Sequence, residues 1–529
     1  MFAKSLGKSS VLAPLSGAAF RMLWLSWFAA NLTVSMGDVA SAWLMTSLTN
    51  DPLMVALVQS AATLPVFILG LPSGALADIM DRRRYMAATL LWGAGVSTGL
   101  WAFVAAGSLT AAMLLVFTFL AGIGVAMRWP VFIAIIPEFV SKTELPSAIG
   151  LNAIAVHFSR LLGPVVAGVL LASAGSQYVF MTNAVLSVVA FLLVMRCRPA
   201  PKDSRLPGER FVGAMRVGLK HVLASPALRV VLARTFLFFF QVTALTALLP
   251  LIARNFHGEG IGSFTTMLAA MGGGAIAGIF LLPYLRGHLD RDRVIYWGTG
   301  IHSVTSVLVV FAPTLWLALP AMFVVGMAWI GVANSLTIAA QWALPAWVRA
   351  RGMSFVQIAM MGGMAAGAAL WGYSARLTTV ADSILAAAII GPLALFVMHR
   401  LGACGLEDED LTPVRIGANL VPPVVDINFD EGPLVVTIEY MIDPTRADDF
   451  RTVMKETRGA RLRQGALSWR LYRDITEPGR YIEHIVNESW VEHQRLLERF
   501  TAADERLRER RLGFHISATP PRIQRYLEC

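Results

Sequence analysis

Apolar positions dominate residues 20–399 in twelve stretches, at 20–48, 53–77, 84–106, 109–136, 146–173, 178–197, 226–253, 261–285, 294–312, 315–342, 351–375 and 380–399. Each runs about 20 residues or more, the length at which a helix crosses roughly 30 Å of hydrocarbon. Backbone polar groups in lipid must be satisfied internally, so such stretches predict membrane-spanning helices. The longest gap, 198–225, divides them six and six. Within it Arg210–Lys220 has helical periodicity with a basic face, which predicts a helix along the membrane surface. The first span is too long for a signal-peptide core and lacks a small-residue cleavage site, so it is expected to remain uncleaved.

The pattern changes after Leu401. An acidic, proline-containing linker (Glu407 to Asp410, Pro413, Pro422, Pro423) leads into a polar segment of about one hundred residues. Leu434–Ile442 reads as a strand, and Pro444 opens a helix with Phe450, Val453 and Met454 on one face. Leu467, Trp469 and Leu471 alternate as a second strand, and Tyr481–Val486 as a third. Trp490–Leu512 reads as one charged amphipathic helix, with a last strand near Arg522–Leu527. The order βαββαβ predicts a ferredoxin-like α+β domain. The fold expected is an all-α membrane protein of twelve transmembrane helices in two six-helix bundles, followed by a cytoplasmic ferredoxin-like domain. Its parts are a first bundle at 1–200, a linker at 201–225, a second bundle at 226–400, an acidic linker at 401–432 and the tail domain at 433–529.

Only 15% of the 529 residues are charged, against about 25% in soluble chains. The net charge of +10 does not mark a nucleic-acid binder, because its placement follows topology. Basic residues cluster at Asp81-Arg82-Arg83-Arg84, Arg196–Lys220, Arg286–Arg293 and Arg349-Ala350-Arg351, while the alternate connections contain no Lys or Arg. Only Arg254 and Arg376 lie near that other side. Both termini are therefore expected in the cytoplasm of a cell inner membrane. Cys197, Cys404 and Cys529 have neither metal nor disulfide spacing.

The connection after the second span reads Gly74-Ala75-Leu76-Ala77-Asp78-Ile79-Met80-Asp81-Arg82-Arg83-Arg84. Gly permits close helix approach, and an Asp at a helix end can latch onto Arg or a helix N-terminus. The run resembles the signature loop of the major facilitator superfamily, with Ile79 in place of the usual basic residue and Asp81 in place of the usual Gly. That resemblance makes Gly74, Asp78, Arg82 and Arg83 conformational-switch residues. Gly163-Pro164-Val165-Val166-Ala167-Gly168 resembles the Gly-Pro motif of antiporter members, which implies a packing hinge at Gly163, Pro164 and Gly168. Gly278–Arg293 is a degenerate second copy of the signature loop. The membrane part resembles the branch containing enterobactin exporters and transmembrane secretion effectors. The tail, through Ala466–Arg473 and Glu488–His493, is similar to antibiotic-biosynthesis monooxygenase-like domains, which pair into dimeric barrels. This implies a homodimer through the tail. Trp469, Tyr472, His484, Trp490 and His493 form no defined catalytic set, so a dimerising or regulatory role is expected there rather than catalysis.

Ionisable residues within spans are few and must face a cavity or a partner. Asp38 in the first span suits a proton carrier. Arg160 in the fifth stays charged and requires a carboxylate, a carbonyl or an anionic substrate group, and His157 shares its face one turn earlier. Arg128 either joins this pathway or pairs with Asp78. Arg234, Asn334, Gln241 and Gln341 are further candidates, while Met360-Met361-Gly362-Gly363-Met364 reads as flexible packing rather than a metal path. No phosphate-binding loop, metal site or cofactor motif is present in the sequence. The function expected is a secondary active transporter, not an enzyme: a proton-coupled exporter of a small organic molecule (drug, siderophore or secondary metabolite) working by alternating access. An importer or uniporter on the same fold, or a membrane-tethered enzyme or sensor acting through the tail, are the alternatives.

Overall fold

The computed structural model describes residues 12–528 except 142, 198–218, 220–221, 223–224, 257–259, 346, 401–409, 411, 413, 415–426 and 429–430. The surface helix expected at Arg210–Lys220 and most of the acidic linker lie outside the described residues. Long helices follow the apolar stretches: α1 (Ala18–Leu48), α2 (Pro52–Ile79), α3 (Arg82–Ala105), α4 (Ala111–Phe139), α5 (Leu145–Ser173), α6 (Ser176–Arg196), α7 (Pro226–Arg254), α8 (Gly260–His288), α9 (Arg291–Val310), α10 (Leu315–Trp342), α11 (Arg349–Leu377) and α12 (Val380–Arg400). Among the described residues, ten are long and apolar enough to cross a membrane; α1 and α9 are not among them. Both carry polar residues along their length, from Asn31 to Ser41 in α1 and from Thr299 to Ser306 in α9.

Local chemistry sets the helix starts. Asp51 accepts the Leu53 amide at α2, Asp81 accepts the Arg84 amide at α3, and Thr110 accepts the Met113 amide at α4. The chain divides into two compact units. The first comprises 1–207, 233–337 and 354–402, the second 208–232, 338–353 and 403–529.

In the first unit, α1 packs on α5 and α6, α2 on α4, α3 on α6, α9 on α12, and α5 on α8 across the two sets of six. Side chains reach neighbouring backbones where lipid offers no partner: Trp24 Nε1 donates to Leu151 O (2.9 Å), Ser26 Oγ to Ala190 O (3.0 Å) and Trp371 Nε1 to Phe240 O (2.8 Å). Ser60 Oγ donates to Ala365 O at 2.7 Å, tying α2 to α11. Within the Met360–Met364 run, a Cβ at Gly362 would press on the Phe67 ring and one at Gly363 on the Phe236 carbonyl.

In the second unit, β1 (Leu434–Met441), β2 (Ser468–Arg473), β3 (Arg480–Asn487) and β4 (Arg522–Leu527) form an antiparallel sheet in the order β2-β3-β1-β4. Helix α13 (Ala447–Gln464) buries Phe450, Val453 and Met454. Phe450 and Met454 join Leu434, Val436, Ile438 and Tyr440 of β1 in one core. The single helix expected over Trp490–Leu512 is two, α14 (Trp490–Glu498) and α15 (Ala502–Leu512). Thr501 and Asp504 form a reciprocal capping box that starts a new helix. Phe500, at the break, is buried.

Candidate functional site

The polar centre of the membrane body is built on α1 and α5. Asp38 lies on α1 and Arg160 on α5, three residues before Gly163. A Cβ at Gly163 would collide with Ser35 and Met36, so glycine there lets α5 lie directly against α1. That approach brings Asp38 and Arg160 within each other's field. Both side chains keep exposed surface. His157, also exposed, lies in the field of Arg160. The Arg160 guanidinium sits 5.9 Å over the ring of Trp329 on α10, a cation–π contact joining the two sets of six. Trp329 is absent from the sequence-based candidates. Its signal was a tryptophan in mid-span, away from the interfacial belts where this residue concentrates.

Of the other expected pathway residues, Arg234 and Asn334 have partners of their own. Arg128 is only 7% exposed and neighbours Trp129, whose ring meets Trp27 at 5.6 Å. The Asp78 side chain, its expected alternative partner, lies outside the described residues. Arg234, 2% exposed, pairs with Asp292 of α9 at 3.0 Å and donates to Tyr296 Oη at 3.2 Å. Asn334 accepts from Arg286 at 3.3 Å, linking α10 to α8. Both contacts join neighbouring helices. Gln241 donates to Ser303 on α9 at 2.5 Å, and Gln341 is exposed. His302, 2% exposed beside Ser306, was not anticipated from sequence.

The signature loop is more than a belt of charge. Arg82 pairs with Glu138 at the end of α4 (2.7 Å), and Arg83 donates to Met195 O at the end of α6 (2.7 Å). Asp81, which departs from the signature, caps α3. Gly74 departs from the expectation of close approach: among the described residues a Cβ there would meet nothing within 4 Å. Gly168 does mark one, since a Cβ would press on Thr265 of α8, and Pro164 beside Gly163 is buried. No cluster of three or more metal-ligating residues occurs among the described residues.

In the tail, Glu483 is fully buried. Its carboxylate accepts from Arg461 (3.2 Å), Trp469 Nε1 (3.0 Å) and Tyr440 Oη (2.9 Å), with Arg511 at 3.8 Å. Burial alone would push this carboxyl up, but the two arginines and the hydrogen bonds overcome it and hold it below its usual range. Burial, then the charges of Arg525 and Arg461, push His493 down to about 4.

Many apolar helices around a charged internal site define a membrane transporter of the major facilitator type. The chain belongs to the transmembrane secretion effector family, whose pattern matches residues 9–529, tail included. A staphyloferrin A transporter of Staphylococcus aureus (strain NCTC 8325 / PS 47) is 23% identical over 285 residues, 52% of this chain and 70% of that protein. An auto-inhibited POT family peptide transporter superposes with a TM-score of 0.60 at 14% identity, covering 77% of this chain and 99% of the other. The nucleoside transporter NupG gives 0.59 at 13% identity over 72% and 99%. An inward-facing, occupied bacterial homologue of the human lysosomal transporter Spinster gives 0.58 at 16% over 73% and 97%. At such identities these structures share the fold. The family and the relatives are transporters, not enzymes.

Proposed function

We propose that the protein is a proton-driven exporter of a small organic molecule, with twelve spans and both termini in the cytoplasm. The observation that supports this reading is that Asp38 of α1 and Arg160 of α5 lie in each other's field with exposed surface, Arg160 reaching Trp329 of the second set of six. A carboxyl beside a fixed cation can take up a proton when the cavity opens to one side and release it, in favour of the Arg160 partner, when it opens to the other. Arg160 favours cargo with an anionic group, and a relative named for a siderophore supports that class. One charge crossing about 100 mV supplies roughly 2.3 kcal/mol, enough for roughly a 40-fold gradient. Arg82, Arg83, Glu138 and Asp78 bias the switch, with Gly163, Pro164 and Gly168 as the packing hinge.

We read the tail as a ferredoxin-like domain that pairs with a second copy. Its strand order and its arrangement of helices around one sheet support this. The test of the main reading is accumulation of dyes, antibiotics and catecholates in inverted membrane vesicles, with and without an uncoupler. Uncoupler-sensitive accumulation is expected; uptake in the opposite sense, or flux indifferent to the uncoupler, would replace it with an importer or uniporter.

A further inference from the structure

At the ends of the helices away from the Arg82–Arg84 loop lies a hollow that the Asp38–Arg160 site leaves unused. It measures about 410 Å³ and is lined by Asn50 and Pro52 from the α1–α2 connection, Leu251, Arg254 and Asn255 from the end of α7, and Val380 from the start of α12. That volume is in the range of small-molecule sites, and its lining is as much polar as apolar, with Asn50, Arg254 and Asn255 facing Pro52, Leu251 and Val380.

Arg254 is its charged group. It donates to Thr46 O at 2.7 Å and to Asn50 Oδ1 at 3.4 Å, both uncharged. Among the described residues the neighbouring acids are engaged: Asp51 caps α2 and faces Arg376 at 3.8 Å, and Asp382 accepts from Thr379 at 2.7 Å. Arg254 thus brings a positive charge that its described partners do not balance to the wall of an open hollow. Its planar fork matches a carboxylate in bidentate fashion. The same two hydrogen bonds tie α7, in the second set of six, to the end of α1 in the first. A carboxylate that takes the Arg254 donors competes with that tie.

We propose that this hollow binds an organic carboxylate anchored by Arg254, with the Asn50 and Asn255 amides alongside, and that occupancy loosens the α1–α7 tie. Its role as a second station for cargo rests on the transport reading above; the binding itself does not.

The test is calorimetric titration of the full-length purified protein with benzoate, citrate and the neutral control benzamide, in wild type, Arg254→Lys, Arg254→Gln and Arg160→Gln. Saturable binding of at least one carboxylate is expected, with a component that is about tenfold or more weaker in Arg254→Gln, intermediate in Arg254→Lys and retained in Arg160→Gln. Equal affinity in Arg254→Gln and wild type overturns the site, as does a lack of saturable carboxylate binding to wild type. Loss only in Arg160→Gln assigns the binding to the deep space and overturns it too. Spin labels at Ser47→Cys on α1 and Phe256→Cys just past the end of α7, with Cys197, Cys404 and Cys529 replaced by serine, are expected to show a broader distance distribution with benzoate; an unchanged distribution overturns the loosening. If Arg254-dependent binding persists in a protein that shows no uncoupler-sensitive flux, the site stands and the export reading falls.

Discussion

A carboxylate among apolar helices is expensive unless something compensates it; translocon scales put a single central charge at about 2.5–3.5 kcal/mol. Asp38 is compensated by the field of Arg160. Asp38→Asn removes the titrating group while keeping shape. It is expected to abolish uncoupler-sensitive transport in inverted vesicles while protein level and fold persist; retained proton drive would remove Asp38 from the mechanism. Arg160→Lys keeps charge but loses the planar face over Trp329. A fall in transport of about tenfold or more is expected, and Trp329→Leu should weaken apparent cargo affinity more than maximal rate. These charged residues were legible in the sequence because ionisable groups inside apolar spans are few. Glu138 and Asp292 were not, because acids near helix ends are common and only the folded chain shows which arginine each meets.

Elements were legible where one physical signal dominated. Twenty or more apolar residues bounded by polar connections define a helix almost by length, so the ends of α7, α10 and α12 fall within a residue of their expected places. The Trp490–Leu512 break was not legible from periodicity, since a charged amphipathic pattern continues across it. The signal lay in Thr501 and Asp504, a capping box at the required spacing. Thr501→Ala should destabilise that corner by about 1 kcal/mol, seen as faster hydrogen exchange in α15 with α13 little changed. In the membrane body, Gly168 sits where α5 meets α8. Gly168→Leu should force these helices apart and slow transport at least tenfold while leaving the protein folded in detergent. Unimpaired transport would show that the α5–α8 seam does not move during the cycle.

The two compact units should answer differently to acid, and the sign follows from the tail. His493 titrates at about 4 in the fold against about 6.5 unfolded. The unfolded chain therefore binds the proton first, and the neutral ring's contribution, present above about pH 6.5, is lost as pH falls from there towards 4. A shift of that size corresponds to a few kcal/mol at most. Glu483 is also held below its ordinary value, so its contribution is present above the unfolded carboxyl pKa of about 4.3 and disappears at still lower pH. The two groups act in the same direction and in succession. Hydrogen exchange on the full-length protein, corrected for intrinsic rates, is expected to show β1, β3 and α14 losing protection between pH 7 and pH 5. In His493→Gln that window should flatten, leaving only the later loss that belongs to Glu483. Protection in the tail that stays level from pH 7 to pH 5 in the unsubstituted protein would mean that His493 is not held neutral by burial and by the charges of Arg525 and Arg461.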